Sequence, residues 1–234
     1  MPRRNRKSNN NNKFSEERTL APIVPKTKNQ ERYIDFLKTH QVVIAEGSAG
    51  SGKTFIAAAH AADRIRHNKI DKIIVARPYV QTGRHSGSKP GTSLEKLYPY
   101  VRNILDVVQD RLGFNVFHNL LKDGLRGRIE VQEVESIRGR SFDLPSILII
   151  EEAQQTTPEE MESIVTRIGE DCQLIITGDP LQKDIKGLSG LEWLSSFVER
   201  HNIEVGHVKF LPEDCVRSGF VGQVLRGLDK DRTK

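Results

Sequence analysis

Short apolar runs recur along the chain, each separated from the next by a stretch with helical spacing or by a polar turn. "NQERYIDFLKT" (29–39) groups Tyr33, Phe36 and Leu37 on one helical face. "VVIA" (42–45) is short and β-rich and predicts a strand; the alanine-rich 54–67 behind it predicts a helix suited to close packing on a sheet. "KIIVA" (72–76) reads as a second buried strand, stopped at Arg77-Pro78. A loop is expected over 81–93 and helices over 95–111 and 115–122. Four more strands follow, "RIEVQEV" (128–134), "SILII" (146–150), "CQLIIT" (172–177) and "HVKFL" (207–211). Between two of them "TPEEMESIVTRIG" opens a helix, with Thr157 as cap, Pro158 at the first position and Glu160 closing a capping box.

Apolar strands alternating with helices define an α/β fold on a mostly parallel sheet, flanked by helices on both faces. The 234 residues suffice for one substantial domain, and neither a repeat nor an internal linker is visible. The expected organisation is a basic, Asn-rich disordered tail (1–24), a single domain (25–228) and a C-terminal tail (229–234).

Charge changes this picture at one end only. Five of the 36 basic residues lie among the first thirteen positions with no acid beside them, which leaves 31 basic against 31 acidic residues in the remainder. Bulk attraction to a phosphate backbone therefore resides in the tail, either as solvated charge or as a nucleic-acid contact. Cys172 and Cys215 are the only cysteines, too few for a disulfide framework or a four-cysteine zinc site. No apolar run reaches the about 20 residues of a membrane span, and the N-terminus has no apolar core of a secretory signal. The expected location is cytoplasmic, with no membrane partner.

The chemistry concentrates in three segments, each at the end of an expected strand. Gly47, Ser48, Ala49, Gly50, Ser51, Gly52, Lys53 and Thr54 fit G-x-x-x-x-G-K-[ST], with a strand before and a helix behind. Amides of such a loop and the positive end of its helix suit a β-phosphate; Lys53 would reach the β- and γ-phosphates and Thr54 a magnesium ion. "ILIIEEAQ" (147–154) ends a buried strand in two carboxylates. Glu151 is the candidate for holding the metal and Glu152 for accepting a proton from the attacking water, although Glu152 also suits a solvated helix start. In "TGDPLQKD" (177–184), Gln182 would contact the γ-phosphate or position water and Asp179 would orient it; a simple turn is the competing reading. No NKxD-like segment for guanine is present, which argues against a GTPase.

Taken together these segments resemble the PhoH-like family of ATPases, whose domain is similar to the first motor domain of superfamily 1 helicases, a RecA-like P-loop NTPase fold. The resemblance spans roughly 25–228 in order. It includes "TKNQERY" (27–33), "ARPYV" (76–80), "EKLYPYVRNILDVV" (95–108), "IRGRSF" (137–142), "EEAQQTTPEEM" (151–161), "TGDPLQKD", "SGL" (189–191) and "FLPEDCVRS" (210–218). It implies ATP as substrate, Mg²⁺ as its metal, Gln30 at the adenine edge and Arg217 near the γ-phosphate. The competing reading of Arg217 is a salt bridge to Glu213 or Asp214. A helicase-type second motor domain does not fit in this length. The resemblance therefore implies self-association, as a ring in one version, with Arg217 or the pair Arg138 and Arg140 acting on a neighbour's nucleotide. RNA or another single-stranded nucleic acid is the implied partner.

Two departures stand out. Family members usually carry Asp where this chain has Glu151, and magnesium tolerates little misplacement. The loop 82–92 also differs, with Arg84 and Lys89 free to meet a phosphate backbone and His85 reading as a solvated loop residue. The leading expectation is a magnesium-dependent ATPase. Rivals are an ATP-gated assembly protein with little turnover, a small-molecule kinase releasing no free phosphate, and, more weakly, a nuclease.

Overall fold

The computed structural model describes residues 21–78, 93–121 and 127–232. The expected loop over 81–92, with Arg84, His85 and Lys89, and the first 20 residues of the expected tail lie outside them.

Six strands, β1 (Val42–Gly47), β2 (Lys72–Arg77), β3 (Ile129–Glu133), β4 (Ser146–Ile150), β5 (Cys172–Gly178) and β6 (Gly206–Phe210), pair in the order β3-β2-β4-β5-β1-β6. Every pairing is parallel. Seven α-helices are described: α1 (Lys28–Thr39), α2 (Lys53–Arg66), α3 (Ser93–Leu112), α4 (Phe114–Leu121), α5 (Pro158–Val165), α6 (Gly190–Arg200) and α7 (Gly219–Arg232).

Strand residues alternate between two apolar layers, as a pleat requires. Val43, Ile73, Val75, Ile147, Ile149 and Ile175 pack with α1, α2, α3 and α4. Ile44, Ile74, Leu148, Ile150, Leu174 and Ile176 face α5 and α6. Each fully buried Ile or Leu contributes about 1.5–3 kcal/mol, so these strands, covered on both sides, are the most strongly specified part of the chain. Ala57, Ala58, Ala61 and Ala62 are fully buried on α2, where small side chains let that helix lie close to the sheet.

The capping box at α5 is formed: Thr157 Oγ1 accepts from the Glu160 amide and the Glu160 carboxylate accepts from the Thr157 amide, at 3.2 and 2.9 Å. α6, absent from the sequence reading, opens on the same device, Ser189 with Glu192. α7 runs through position 229, so the C-terminal boundary drawn at 228 falls inside an element. Its Phe220, Val224 and Leu228 are exposed.

Because all strands are parallel, the segments after β1, β2, β4, β5 and β6 emerge at one edge of the sheet, the side where α/β folds hold ligands. β5 separates the strand of the glycine loop, β1, from the strand of the paired carboxylates, β4.

Candidate nucleotide site

The loop 47–54 is shaped by its glycines. Gly47 has φ +119°, and a Cβ there would lie 2.0 Å from the Phe210 carbonyl oxygen. Only glycine lets β1 turn while the Ser48 amide bonds that same carbonyl at 3.1 Å. Gly52, also left-handed, opens α2. Ser51, fully buried, donates to the Ser48 carbonyl at 2.8 Å.

Lys53 is held by its own loop, its Nζ donating to the Gly47 carbonyl (2.6 Å), the Ser48 carbonyl (2.8 Å) and Ser51 Oγ (3.2 Å). Burial pushes its ammonium down to about 8, only partly offset by Asp179 and Glu152, and Arg217 adds to the depression. Gln30, expected at an adenine edge, lies against the loop: its Nε2 donates to the Ser51 carbonyl at 2.8 Å and its Oε1 accepts from the Lys26 amide at 2.7 Å. In this arrangement it braces the loop, and it is not among the residues lining the cleft.

The carboxylates follow β4. The Glu151 amide donates to the Ala76 carbonyl at 2.9 Å, fixing the residue at the sheet's edge. Its buried side chain accepts from Asn103 Nδ2 at 3.0 Å and from Arg77 NH1 at 3.2 Å. Burial raises this carboxyl above the ordinary range, with Asn103 and Arg77 opposing. Glu152 adopts left-handed backbone, φ 55° and ψ 41°. For a residue with a Cβ this conformation costs on the order of 1–3 kcal/mol and clusters at functional sites. It sends consecutive carboxylates in different directions, Glu152 remaining 37% exposed against 4% for Glu151.

Gln154, fully buried, ties this segment to the next one: its Nε2 donates to the Glu152 carboxylate and its Oε1 accepts from the Asp179 amide. Asp179 in turn accepts from Gln182 Nε2 at 2.6 Å and from the Leu181 amide at 3.1 Å. Asp179 thus orients the Gln182 side chain. Gln155 adds a second tie, donating to the Gln182 carbonyl at 3.0 Å and to Asp184 at 2.9 Å.

Arg217 reaches the cleft of its own chain. The Val216 amide donates to the Gly50 carbonyl at 3.0 Å, and the Arg217 Cγ and Cδ lie 3.1 Å from where a Gly50 Cβ would stand. Asp214 takes other partners, Asn29 Nδ2 at 2.7 Å and the Leu211 amide at 2.9 Å. Arg217 therefore lines this cleft from within its own chain. Arg140 is committed elsewhere: it bonds Glu130 at 2.9 Å and Gln132 at 2.8 Å beside the edge strand β3 and stacks over Phe142. Arg138 is exposed nearby. Neither of the two lines the cleft.

A cleft of about 400 Å³ brings Lys53, Thr54, Glu151, Glu152, Gln182 and Arg217 together, with Ala49, Gly50 and Gly52 of the loop on its wall. The hard oxygens of Thr54 and Glu151 fit magnesium, which is usually bound by one or two carboxylates together with phosphate oxygens. Among the described residues no cluster of three or more His, Cys, Asp or Glu side chains could hold a metal. The sequence reading missed Arg77, Asn103, Gln154 and Gln155 as site residues. Only the glutamines left a signal, two amides following closely on two carboxylates.

A parallel sheet with a glycine loop between its first strand and an alanine-rich helix, facing paired carboxylates two strands away, defines a P-loop NTPase fold. The profile of the family described as PhoH-like protein matches residues 22–229, and the chain belongs to that family. It is 37% identical over 212 residues to Protein PhoH of Escherichia coli K12, covering 89% of this chain and 58% of that protein. It is 35% identical over 207 residues to a PhoH-like protein of Bacillus subtilis, covering 88% and 63%. The chain thus spans about three-fifths of the length of these relatives. Among solved structures it is similar to the large terminase of a thermophilic bacteriophage in complex with ADP, at a TM-score of 0.55 and 11% identity, over 84% of this chain and 48% of that one. That likeness is one of fold. No helix among the described residues is long and apolar enough to cross a membrane.

Proposed function

We propose that this chain binds ATP with magnesium and hydrolyses it to ADP and phosphate, with single-stranded nucleic acid, RNA foremost, as its partner. The observation that carries the reading is the meeting of Lys53, Thr54, Glu151, Glu152, Gln182 and Arg217 in one cleft, from four separate segments of the chain. The loop amides and Lys53 bind the phosphates, and Lys53 neutralises charge that develops on them. Magnesium held by Thr54 and Glu151 would supply further charge neutralisation on the phosphate oxygens. Glu152, with a partly exposed carboxylate held by Gln154, accepts the proton of the attacking water. Gln182, oriented by Asp179, is placed to respond to the γ-phosphate, and Arg217 adds a second positive charge.

The nucleic-acid part rests on the basic N-terminal residues and the helicase-like family resemblance. Self-association, as a ring in one version, is supported by the exposed apolar residues of α7 and tested by light scattering. A cytoplasmic location agrees with the two free cysteines. One observation favours a second reading, ATP-gated assembly with little turnover: both oxygens of Glu151 are engaged by Asn103 and Arg77.

Steady-state phosphate release from Mg-ATP, with and without single-stranded RNA and DNA, separates the two. Slow basal turnover is expected, rising with nucleic acid and falling by about 10²–10⁴-fold in Glu152→Gln. Tight ATP binding without release of phosphate would favour the assembly protein, and labelled phosphate appearing in an acceptor would sink both.

A further inference from the structure

Arg77 is a strong charge beside the cleft to which the reaction assigns no task. It is the last residue of β2 and its guanidinium lies between the two carboxylates, with NH1 3.2 Å from Glu151 Oε2 and 4.0 Å from Glu152 Oε1. The same NH1 donates to the Tyr100 carbonyl at 3.0 Å, and the group stacks over the Tyr100 ring at 5.6 Å. Asn103, about one helical turn further along α3, holds the other oxygen of Glu151. One buried carboxylate is therefore tied to α3 twice, directly through Asn103 and indirectly through Arg77.

We propose that Arg77 is a positioning residue that competes with a divalent cation for Glu151, and that its bond to the Tyr100 carbonyl passes the outcome of that competition to α3. The proposal rests on Glu151 being the metal carboxylate of the site. Two cations cannot share the same oxygen of a buried carboxylate without strong repulsion. A divalent ion taking Glu151 Oε2 therefore has to displace the guanidinium. β2 is fixed by pairing on both sides, with β3 and β4, so the side chain and α3 are what can yield. α3 is weakened in the turn just before Tyr100: Pro99 lies inside the helix, removing one backbone N–H and crowding the carbonyl four residues earlier. The neighbouring Tyr100 carbonyl is the one that Arg77 holds. Binding of the cation thus releases the Tyr100 carbonyl, one residue past the proline at which α3 already lacks a backbone bond.

The test is Mn²⁺ binding by electron paramagnetic resonance on the whole chain without nucleotide. Arg77→Gln is expected to bind Mn²⁺ about tenfold more tightly than the wild type, the size expected from losing one charged hydrogen bond to the competitor. Arg77→Lys should fall near the wild type, and Glu151→Gln should abolish the binding. An Arg77→Gln protein that melts normally but binds Mn²⁺ equally or more weakly would overturn the proposal and leave Arg77 a structural staple. Hydrogen exchange across 97–104 of the wild type reads the coupling without a variant that has to fold. Exchange should rise severalfold when Mn²⁺ is added; no change would overturn the link to α3. Absence of ATP turnover under every condition would sink the proposed function, yet leave both readouts intact.

Discussion

The two halves of the cleft are built on different principles. The phosphate half is one contiguous segment, 47–54, in which backbone does nearly everything: left-handed glycines, loop carbonyls around Lys53, and a helix start. The carboxylate half is assembled from side chains far apart in sequence, Arg77, Asn103, Glu151, Glu152, Gln154, Asp179 and Gln182, each oriented by another. A backbone device fails all at once when its shape is lost. A side-chain network degrades link by link, with neighbouring changes that do not add.

The sharpest way to break the contrast is Gly47→Ala. The new methyl would lie 2.0 Å from the Phe210 carbonyl, on backbone at φ +119°, so β1 and β6 would have to part. Loss of soluble folded protein, or a destabilisation above about 4 kcal/mol, is expected by denaturant titration. A normal midpoint would show that the loop is held by its side chains, and the distinction between the halves would collapse.

The network half predicts a subtler failure. Gln154→Leu keeps the volume but frees the Glu152 carboxylate and strands the buried Asp179 amide. Stability should drop by about 1–3 kcal/mol, and turnover by about ten- to a hundredfold through misplacement of Glu152 and Gln182. Combined with Gln182→Ala, the losses in turnover should fall well short of additive. Full additivity in that cycle would mean that the two glutamines act separately.

The same contrast governs what is legible in the sequence. The contiguous features can be read directly: the glycine loop, the paired carboxylates after four apolar residues, Asp179 with Gln182, and the strands covered on both faces. Arg77 reads only as a strand terminator before Pro78, because its partners on α3 and after β4 come together only through the fold. Asn103 carries no signal, being one polar position on a long amphipathic helix. Gln30 matches a segment of the family resemblance, but its hydrogen bonds to Lys26 and Ser51 depend on how α1 docks behind the loop. That Arg217 lines the cleft of its own chain is not legible, because no linear pattern reveals that Val216 bonds Gly50. α6 escapes the reading although Ser189 and Glu192 stand at capping-box spacing, a local signal that strand patterns do not pick out.

The smallest effect sharpens the phosphate half by titration. Lys53 is depressed to about 8, chiefly by burial, whereas in an unfolded chain it titrates as an ordinary lysine near about 10.4. Between those values the unfolded chain carries a proton that the folded chain has shed. Stability therefore rises with pH across this window, and below about 8 the cost of burying the ammonium is felt in full. Phosphate binding has the opposite sign, because it needs the ammonium: nucleotide affinity should be highest below about pH 8 and fall above it, by at most about tenfold per pH unit. Burial also raises the Cys172 thiol above its ordinary value, a second source of pH dependence. The measurement is thus a difference, wild type minus Lys53→Met, in unfolding midpoint and in binding of a fluorescent ADP from about pH 7 to about pH 10. Both difference curves should bend near about 8 with opposite slopes. If both remain flat to about pH 10, the ammonium is not depressed, and the loop carbonyls around it stabilise its charge fully despite burial.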